Sequence, residues 1–195
     1  TPGHNAAGTS SMENGYAASL TVLFVAMLES FASRVRFLRN PEVVPGKDVP
    51  DQLELFFPDL PTKDDLVEIF LLRNVVVHNH IWHLDVSDVE GLGAPTISNP
   101  MDLKFRTKKN YEAVVDIGAR RTRRLGLNAS PSAVDRHDVQ AVFKVVWDTL
   151  LFMNSKNFSH TPLAGQTVKF RGAFIQFGDL CAQFPANGGQ TPAAS

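Results

Sequence analysis

The sequence predicts a mainly α-helical protein, a helical bundle with long loops and one short β-hairpin. In several stretches apolar residues recur every three or four positions, which is the period of a helix with one buried face. The 195 residues are 44% apolar and 20% charged, within the ordinary range of globular proteins. We expect one domain over residues 12–185, between disordered tails at residues 1–11 and 186–195.

The first two predicted helices cover residues 13–39 and 63–84. The first ends at the Asn40-Pro41 pair, because a residue that precedes proline disfavours helical backbone angles. Its apolar stripe comprises Leu20, Phe24, Met27, Leu28, Phe31, Val35 and Leu38. The second begins after Thr62, a residue type that caps helices with its side-chain oxygen.

Two further helices are predicted at residues 131–153 and 170–184. Ser130 is the candidate N-cap of the third helix, Pro131 suits its first position, and residues 135–138 are expected to be solvated. Its stripe comprises Val139, Val142, Phe143, Val146, Leu150 and Met153. The fourth rests on the spacing of Phe170, Phe174, Phe177, Cys181 and Phe184, although Gly172 and Gly178 weaken it.

Two long connections interrupt this helical pattern. Residues 41–61 carry five prolines and are expected to be extended. Residues 91–129 are too long for a structureless connection in a bundle. Val114, Val115 and Ile117 favour short strands there, in a hairpin that turns near Gly118 and Ala119.

Composition limits the class of protein. The net charge of −1 argues against a uniformly basic nucleic-acid-binding surface, and a single cysteine, Cys181, excludes an internal disulfide or a multi-cysteine zinc site. We find no run that approaches the roughly 20 apolar residues of a membrane span, since Ser19 and Thr21 interrupt the most apolar stretch, residues 17–28. We therefore expect a soluble, cytoplasmic protein without a membrane partner.

The second predicted helix combines apolar faces with three polar residues. Leu66, Phe70, Val77, Ile81 and Leu84 form one stripe, and Val67, Leu71, Val75 and Trp82 form another. A helix that is apolar nearly all round lies inside a bundle or at a subunit interface. Arg73, Asn74 and His78 interrupt it, and a buried guanidinium is costly unless it is paired or lines a cleft.

The run from Leu71 to Asn79 resembles the R-N-x-x-x-H signature of the HEPN superfamily, with Arg73, Asn74 and His78 as the motif residues. The resemblance extends over about residues 13–155, because a long amphipathic helix that contains Glu29 precedes the motif and another long helix follows it. The resemblance implies a HEPN-like helical bundle that forms a homodimer, in which the motifs of two subunits face one cleft.

The resemblance also implies a metal-independent endoribonuclease without a cofactor. His78 would act as general base or acid, Arg73 would stabilise charge on the phosphate, and Asn74 would orient His78 or the phosphate. Glu29, Asn79 and His80 are candidate supporting residues. A toxin or defence effector that cleaves RNA, restrained by a cognate antitoxin, is the expected biological class.

A basic segment at residues 104–124 is the candidate RNA-binding surface. It carries a net charge of +6 and leaves −7 on the rest of the chain. Its cations are Lys104, Arg106, Lys108, Lys109, Arg120, Arg121, Arg123 and Arg124, with Phe105 and Tyr111 as candidate stacking partners. Such a cluster suits a phosphate backbone, although most charge runs are simply solvated surface.

Two other interpretations remain open, a structural arginine and a binding module, whereas we do not expect a metal site. Arg73 is a structural arginine if Glu29 or Glu68 pairs with it. His78, His80 and His83 suggest zinc, but no two of them have the four-residue spacing that places two ligands on one helical face. A HEPN dimer that binds RNA, nucleotide or a partner protein without cleaving is the alternative to an enzyme.

Overall fold

The computed structural model describes residues 11–39, 48–78, 83–85, 96–98, 107–161, 166–177 and 179. This part of the chain is mainly helical, which confirms the predicted class. Its α-helices are α1 (Ser11–Arg39), α2 (Val49–Phe56), α3 (Lys63–His78), α4 (Thr107–Val114) and α5 (Arg136–Lys156). Its strands are β1 (His83–Asp85), β2 (Thr96–Ser98), β3 (Val115–Asp116), β4 (Arg121–Thr122), β5 (Thr167–Phe170) and β6 (Ala173–Gln176). They form three antiparallel pairs, β1–β2, β3–β4 and β5–β6.

Helix α1 matches the predicted first helix, although its buried face is rotated from the predicted stripe. Leu28 and Val35 are buried as expected, whereas Leu20 and Leu38 are exposed. The buried positions are Ala17, Thr21, Val25, Leu28, Ala32 and Val35. Small side chains allow close packing on that face, a preference that hydrophobic spacing alone does not reveal. Ser11, assigned to the disordered tail, is already helical, while residues 1–10 and 186–195 lie outside the described part.

Helix α3 begins as predicted, and its described residues run to His78, whereas the prediction carried it to Leu84. The Thr62 carbonyl accepts the amide of Leu66 at 2.9 Å, which places Thr62 at the N-cap position. Leu84, expected in the last helical turn, instead belongs to β1 and pairs with Ile97. An apolar run is compatible with either structure, and antiparallel strand pairing supplies the backbone hydrogen bonds that the helix would otherwise provide.

The connection at residues 41–61 contains helix α2, contrary to the extended structure expected there. The Asp48 side chain accepts the amide of Asp51 and so caps the helix, and Pro50 lies in the first turn. Proline is tolerated there because the first amides of a helix have no intrahelical partner. Pro50 therefore lies at the start of this helix, and Pro58 and Pro61 follow its end.

Helix α5 begins at Arg136, five residues later than predicted. Ser130 and Pro131 precede a short 3₁₀ helix, Pro131–Ala133, instead of starting α5. The Asp135 carboxylate accepts the amides of His137 and Asp138, and the Asp138 carboxylate accepts the amide of Asp135 in return. This reciprocal arrangement is a capping box. Asp138 is 4% exposed, so the expectation that residues 135–138 are all solvated is wrong for it.

A β-hairpin stands where the fourth helix was predicted. Strands β5 and β6 pair from Thr167 with Gln176 to Phe170 with Ala173. Arg171 and Gly172 connect them with φ values of 47° and 88°, and two consecutive positive φ angles are characteristic of a two-residue type I′ turn. The predicted hairpin is present, since β3 pairs with β4 around residues 117–120, but Val114 ends α4 and Ile117 lies in the turn instead of in strands. Cys181 and Phe184 lie outside the described residues.

The chain divides into two compact units, and each has its own core. The first unit consists of Thr1–Leu23 and Val67–Val139, and the second of Phe24–Leu66 and Gln140–Ser195. In the first, Val75, Tyr111, Val115 and Ala129 form a buried cluster with Leu71 against it. In the second, the Phe57 ring contacts the rings of Phe152 and His160. The single domain over residues 12–185 stays a prediction.

Helix α1 is long and apolar enough to cross a membrane, judged by length and composition over Glu13–Arg39. The expectation that no stretch meets this criterion was therefore wrong. In the most apolar window of the helix, 28% of the residues are buried. Core helices of soluble proteins and N-terminal leader segments meet the same criterion.

Candidate functional site

The three motif residues lie on the second half of α3 as described, Lys63–His78. Asn74 and His78 are four residues apart and therefore share a helical face, while Arg73 is offset from His78 by about 140°. Arg73 and Asn74 are half-buried. The Arg73 guanidinium carbon lies 5.6 Å from the centre of the Phe70 ring, within the range of a cation–π contact. The side chain of His78 lies outside the described part of the structure.

Of the supporting residues predicted from the sequence, Glu29 is the one that lies within the described residues. Glu29 is half-buried on α1 and belongs to the second unit, whereas Arg73 belongs to the first. Asn79 and His80 lie outside the described residues. The supporting roles of these three residues remain predictions.

Helix α4 and strand β3 pack against the motif half of α3. Tyr111 and Val115 are buried with Val75, the neighbour of Asn74 in the sequence. Burial also raises the pKa of the Tyr111 phenol from 10.0 to about 12, because a phenolate is less stable away from water. The ring of Tyr111 is therefore a core element beside the motif, and the expectation that it stacks on a base is wrong.

Glu68 connects α3 to the end of the basic segment by hydrogen bonds. Its side chain is buried, with 2% of the residue exposed. One carboxylate oxygen accepts the amide of Arg124 and the other accepts the amide of Leu125, each at 2.8 Å. The sequence offered Glu68 as a partner for Arg73, and these backbone contacts were missed. A single carboxylate inside the apolar run of α3 was the available signal, because a buried carboxylate requires hydrogen-bond donors.

The turn at residues 122–127, which Glu68 contacts, is stabilised by hydrogen bonds between Thr122 and Leu127. The Thr122 amide donates to the Leu127 carbonyl, and its hydroxyl accepts the Leu127 amide at 3.0 Å. Gly126 allows the reversal of the chain with a φ of 69°. The Arg121 guanidinium donates to the Gly126 carbonyl at 3.1 Å. The backbone of residues 122–127 is thus fixed, while the arginine side chains lie on its surface.

Four of the predicted RNA-binding cations surround this turn and are exposed. They are Arg120, Arg121, Arg123 and Arg124. Arg120 has a φ of 52° at the end of the β3–β4 loop, a left-handed conformation that costs a residue with a Cβ atom about 1–2 kcal/mol. Lys108 and Lys109 lie in the first turn of α4, and their side chains are outside the described part, as are Lys104, Phe105 and Arg106 altogether. The described arginines form one surface attached to the motif helix.

A second buried carboxylate orders the end of this segment. Asp138 accepts the backbone amide and the side-chain amide of Asn128, both at 2.9 Å. Asn128 in turn forms a bridge with Arg121 on β4. This role was not predictable from the sequence, because the partner of Asp138 lies in an irregular segment whose conformation has no periodic signature.

Within the described ranges, no group of three or more His, Cys, Asp or Glu residues is placed to hold a metal ion. Comparison with known proteins adds no relative, since no family model, curated protein or solved structure matches this chain. The resemblance to HEPN domains therefore rests on the residues and on the helix that carries them.

Proposed function

We propose that this protein is a metal-independent endoribonuclease of the HEPN type. The observation that carries the proposal is the arrangement on α3: Arg73, Asn74 and His78 lie on one helix, and the same helix holds an arginine-rich turn through Glu68. A motif that cleaves RNA needs a surface nearby that binds the phosphate backbone. The described arginines around residues 120–124 have the charge and exposure for this role.

The proposed reaction is attack of a ribose 2′-hydroxyl on the adjacent phosphorus. The new P–O2′ bond replaces the P–O5′ bond, which leaves a 2′,3′-cyclic phosphate and a 5′-hydroxyl. An imidazole exchanges protons near neutral pH, so His78 takes the proton from the 2′-hydroxyl or gives one to the leaving oxygen. A guanidinium presents a fixed fork of donors to phosphate, so Arg73 stabilises the charge that develops, and Asn74 orients His78 or the phosphate.

The proposed assembly is a homodimer in which two copies of the motif share one cleft. Val77, next to His78, is an apolar residue with 49% of its surface exposed, and a second copy of the chain would cover it. Sedimentation velocity tests this assembly directly, and a monomer at the concentration used for cleavage would contradict the shared active site. An unrestrained ribonuclease harms its host, so we infer a toxin or defence role and a cognate antitoxin.

The decisive experiment compares RNA cleavage by the wild-type protein and by His78→Ala in EDTA. Total RNA is incubated with each protein after identical purification, and new 5′-hydroxyl ends are detected by their acceptance of phosphate from polynucleotide kinase. We expect cleavage by the wild type alone. His137→Ala is the matched control, because His137 is an exposed histidine at the start of α5. This variant should cleave RNA like the wild type.

The outcomes separate the enzyme from a binding protein. Equal cleavage by wild type and His78→Ala would contradict the role of His78. If neither protein cleaves, including on tRNA, the non-catalytic dimer that binds RNA, nucleotide or a partner protein replaces the proposal. Growth arrest on expression of the wild type, absent with His78→Ala, would support the toxin role.

A further inference from the structure

The β5–β6 hairpin has two chemically different faces. In its register Val168 pairs with Ile175 and Phe170 pairs with Ala173, which places these residues on one face. The other face carries the pairs Thr167 with Gln176 and Lys169 with Phe174, and all four of these residues are exposed. Phe174 is 74% exposed. A large aromatic ring therefore stands in the middle of an otherwise polar surface.

The hairpin contacts helix α5 through Phe177, the residue after β6. Phe177 follows β6 and continues the face of Ile175. Its ring centre lies 5.7 Å from that of Phe143 and 5.1 Å from that of Trp147, both on α5. This packing anchors the hairpin by one face and leaves the face with Phe174 turned outward.

The charges of the hairpin are all positive. Lys169 and Arg171 are the ionisable residues within residues 166–177. Lys169 lies directly across from Phe174, close enough for side-chain contact. The Arg171 guanidinium carbon lies 5.2 Å from the centre of the Phe170 ring. The outward surface therefore combines the exposed Phe174 ring with Lys169, while Arg171 is exposed in the turn at the end of the hairpin. An exposed ring with cations beside it suits a nucleic acid whose bases are unpaired.

Arg171 occupies a position that other residues fit better. Its φ of 47° is left-handed, and type I′ turns favour Asn, Asp or Gly at both central positions. Strain at such a site points toward function when the side chain has a separate use. Arg120, in the β3–β4 hairpin, is the other non-glycine residue of the described chain with positive φ.

We propose that the outward face of β5–β6 and the turn at its end bind single-stranded RNA, with Phe174 stacking on an unpaired base, Lys169 contacting a phosphate beside it and Arg171 contacting a phosphate at the turn. Stacking on exposed aromatic rings is how sequence-tolerant single-strand binders hold bases. Paired bases present no free face to such a ring, which excludes duplex as the preferred ligand. The choice of RNA as the polyanion rests on the proposed function.

The test measures binding of a fluorescent single-stranded oligonucleotide whose 2′-hydroxyls are methylated, so that it cannot be cleaved by the proposed reaction. Fluorescence anisotropy compares the wild type with Phe174→Ala, Phe174→Leu and Phe174→Trp. We expect at least about a fivefold loss of affinity for alanine and leucine, from the loss of one stacking contact, and recovery with tryptophan. Leu151→Ala is the control, because Leu151 is an exposed apolar residue on α5 of the same unit.

Two further variants test the cations. Lys169→Gln and Arg171→Asn should each reduce the salt slope of binding by about 0.7, the value for one phosphate contact on a single strand. Phe174→Ala should leave that slope unchanged. Arg171→Asn should also raise the melting temperature, because asparagine tolerates positive φ better than arginine. Lower affinity together with higher stability would show that the effect is not loss of folding.

The outcomes distinguish this proposal from the proposed enzyme. If the Phe174→Ala variant binds the oligonucleotide with an affinity within twofold of the wild type, the proposed contact between the hairpin and RNA is overturned, whether or not the protein cleaves RNA. Equal binding by the leucine and wild-type proteins would also overturn it, since an apolar docking site for a protein would tolerate leucine. Binding that depends on Phe174 in a protein that never cleaves RNA would support the contact and refute the enzyme.

Discussion

Removing the Glu68 carboxylate should release the turn at residues 122–127 from helix α3 and destabilise the protein. Glu68 is 2% exposed and accepts two backbone amides, from Arg124 and Leu125, at 2.8 Å each. A polar group left without its partner costs about 1–3 kcal/mol. Both amides belong to a half-buried turn that water can reach after truncation, so we take the lower part of that range for each. Glu68→Ala should therefore lower the free energy of unfolding by about 2–4 kcal/mol.

Glu68→Gln provides a finer test of the same contacts. The glutamine oxygen can still accept one amide, but its NH₂ group would face the other amide, and two donors repel each other. We expect a loss of about 1–2 kcal/mol. Glu54→Ala is the control, because Glu54 forms a surface ion pair with Lys63, and such pairs contribute at most about 1 kcal/mol.

Urea unfolding measures the stability of both variants. An unchanged slope of the free energy of unfolding against urea concentration would show that the folded state is intact. Hydrogen exchange of the Arg124 and Leu125 amides measures the contact itself and should accelerate in both variants. A loss below about 0.5 kcal/mol for Glu68→Ala, or unchanged exchange at these two amides, would refute the reasoning. Weakened RNA binding by Glu68→Gln would link the turn to the proposed function.

Three other predictions follow from the described contacts. Asp138→Ala should lower the free energy of unfolding by about 3 kcal/mol in urea, because three donors from Asn128 and Asp135 lose their acceptor. The wild type should lose stability as the pH rises from 10 through about 12, since the folded pKa of Tyr111 is raised. Tyr111→Phe should abolish this loss of roughly 2–3 kcal/mol. It should also remove the increase in phenolate absorbance near pH 12. Arg120→Asn should raise the free energy of unfolding by up to about 1 kcal/mol by relieving its positive φ, and an unchanged or lower melting temperature would contradict this strain.

Long helices were predictable because their period is unambiguous over many turns. The apolar residues of α1 and α5 recur through 29 and 21 residues, a length over which strand and helix patterns separate clearly. The end of α3 was not predictable on the same basis. After His78 the pattern is short, and Leu84 fits a strand as well as it fits a helix. Pairing with Ile97, thirteen residues later in the chain, decides the outcome.

The β5–β6 hairpin shows how one spacing can serve two structures. Phe170 and Phe174 are four residues apart and would share a helical face, but in the hairpin they lie on opposite faces. The deciding signal was Arg171 with Gly172, where glycine favours the positive φ of a tight turn. Gly172 weakened the helix prediction, and weighing it as a turn residue would have corrected it.

The candidate site was only partly predictable, because its supports come from distant segments. The motif on α3 and the basic cluster are visible in the sequence as separate features. Their connection through Glu68 joins residues 56 positions apart, and no local pattern encodes the conformation of residues 122–127 that presents the two amides. Buried carboxylates in apolar helices were the most informative signal, since each must find donors.

Each of the two hairpins carries a positive charge that the net charge of the chain does not reveal, and the salt dependence of RNA binding tests whether these charges contact phosphates. Residues 117–126 hold four arginines and residues 166–177 hold Lys169 and Arg171, with no carboxylate in either segment, which leaves −7 on the rest of the chain. If the four arginines of residues 117–126 make phosphate contacts, the logarithm of RNA affinity should fall with the logarithm of salt concentration with a slope of about −3, whereas Lys169 and Arg171 alone would give about −1. Participation of Lys104, Arg106, Lys108 and Lys109 with the four arginines would steepen the first slope to about −6. Binding of the uncleavable oligonucleotide across a salt series distinguishes these values, and a slope near zero would refute a phosphate-binding role for both hairpins.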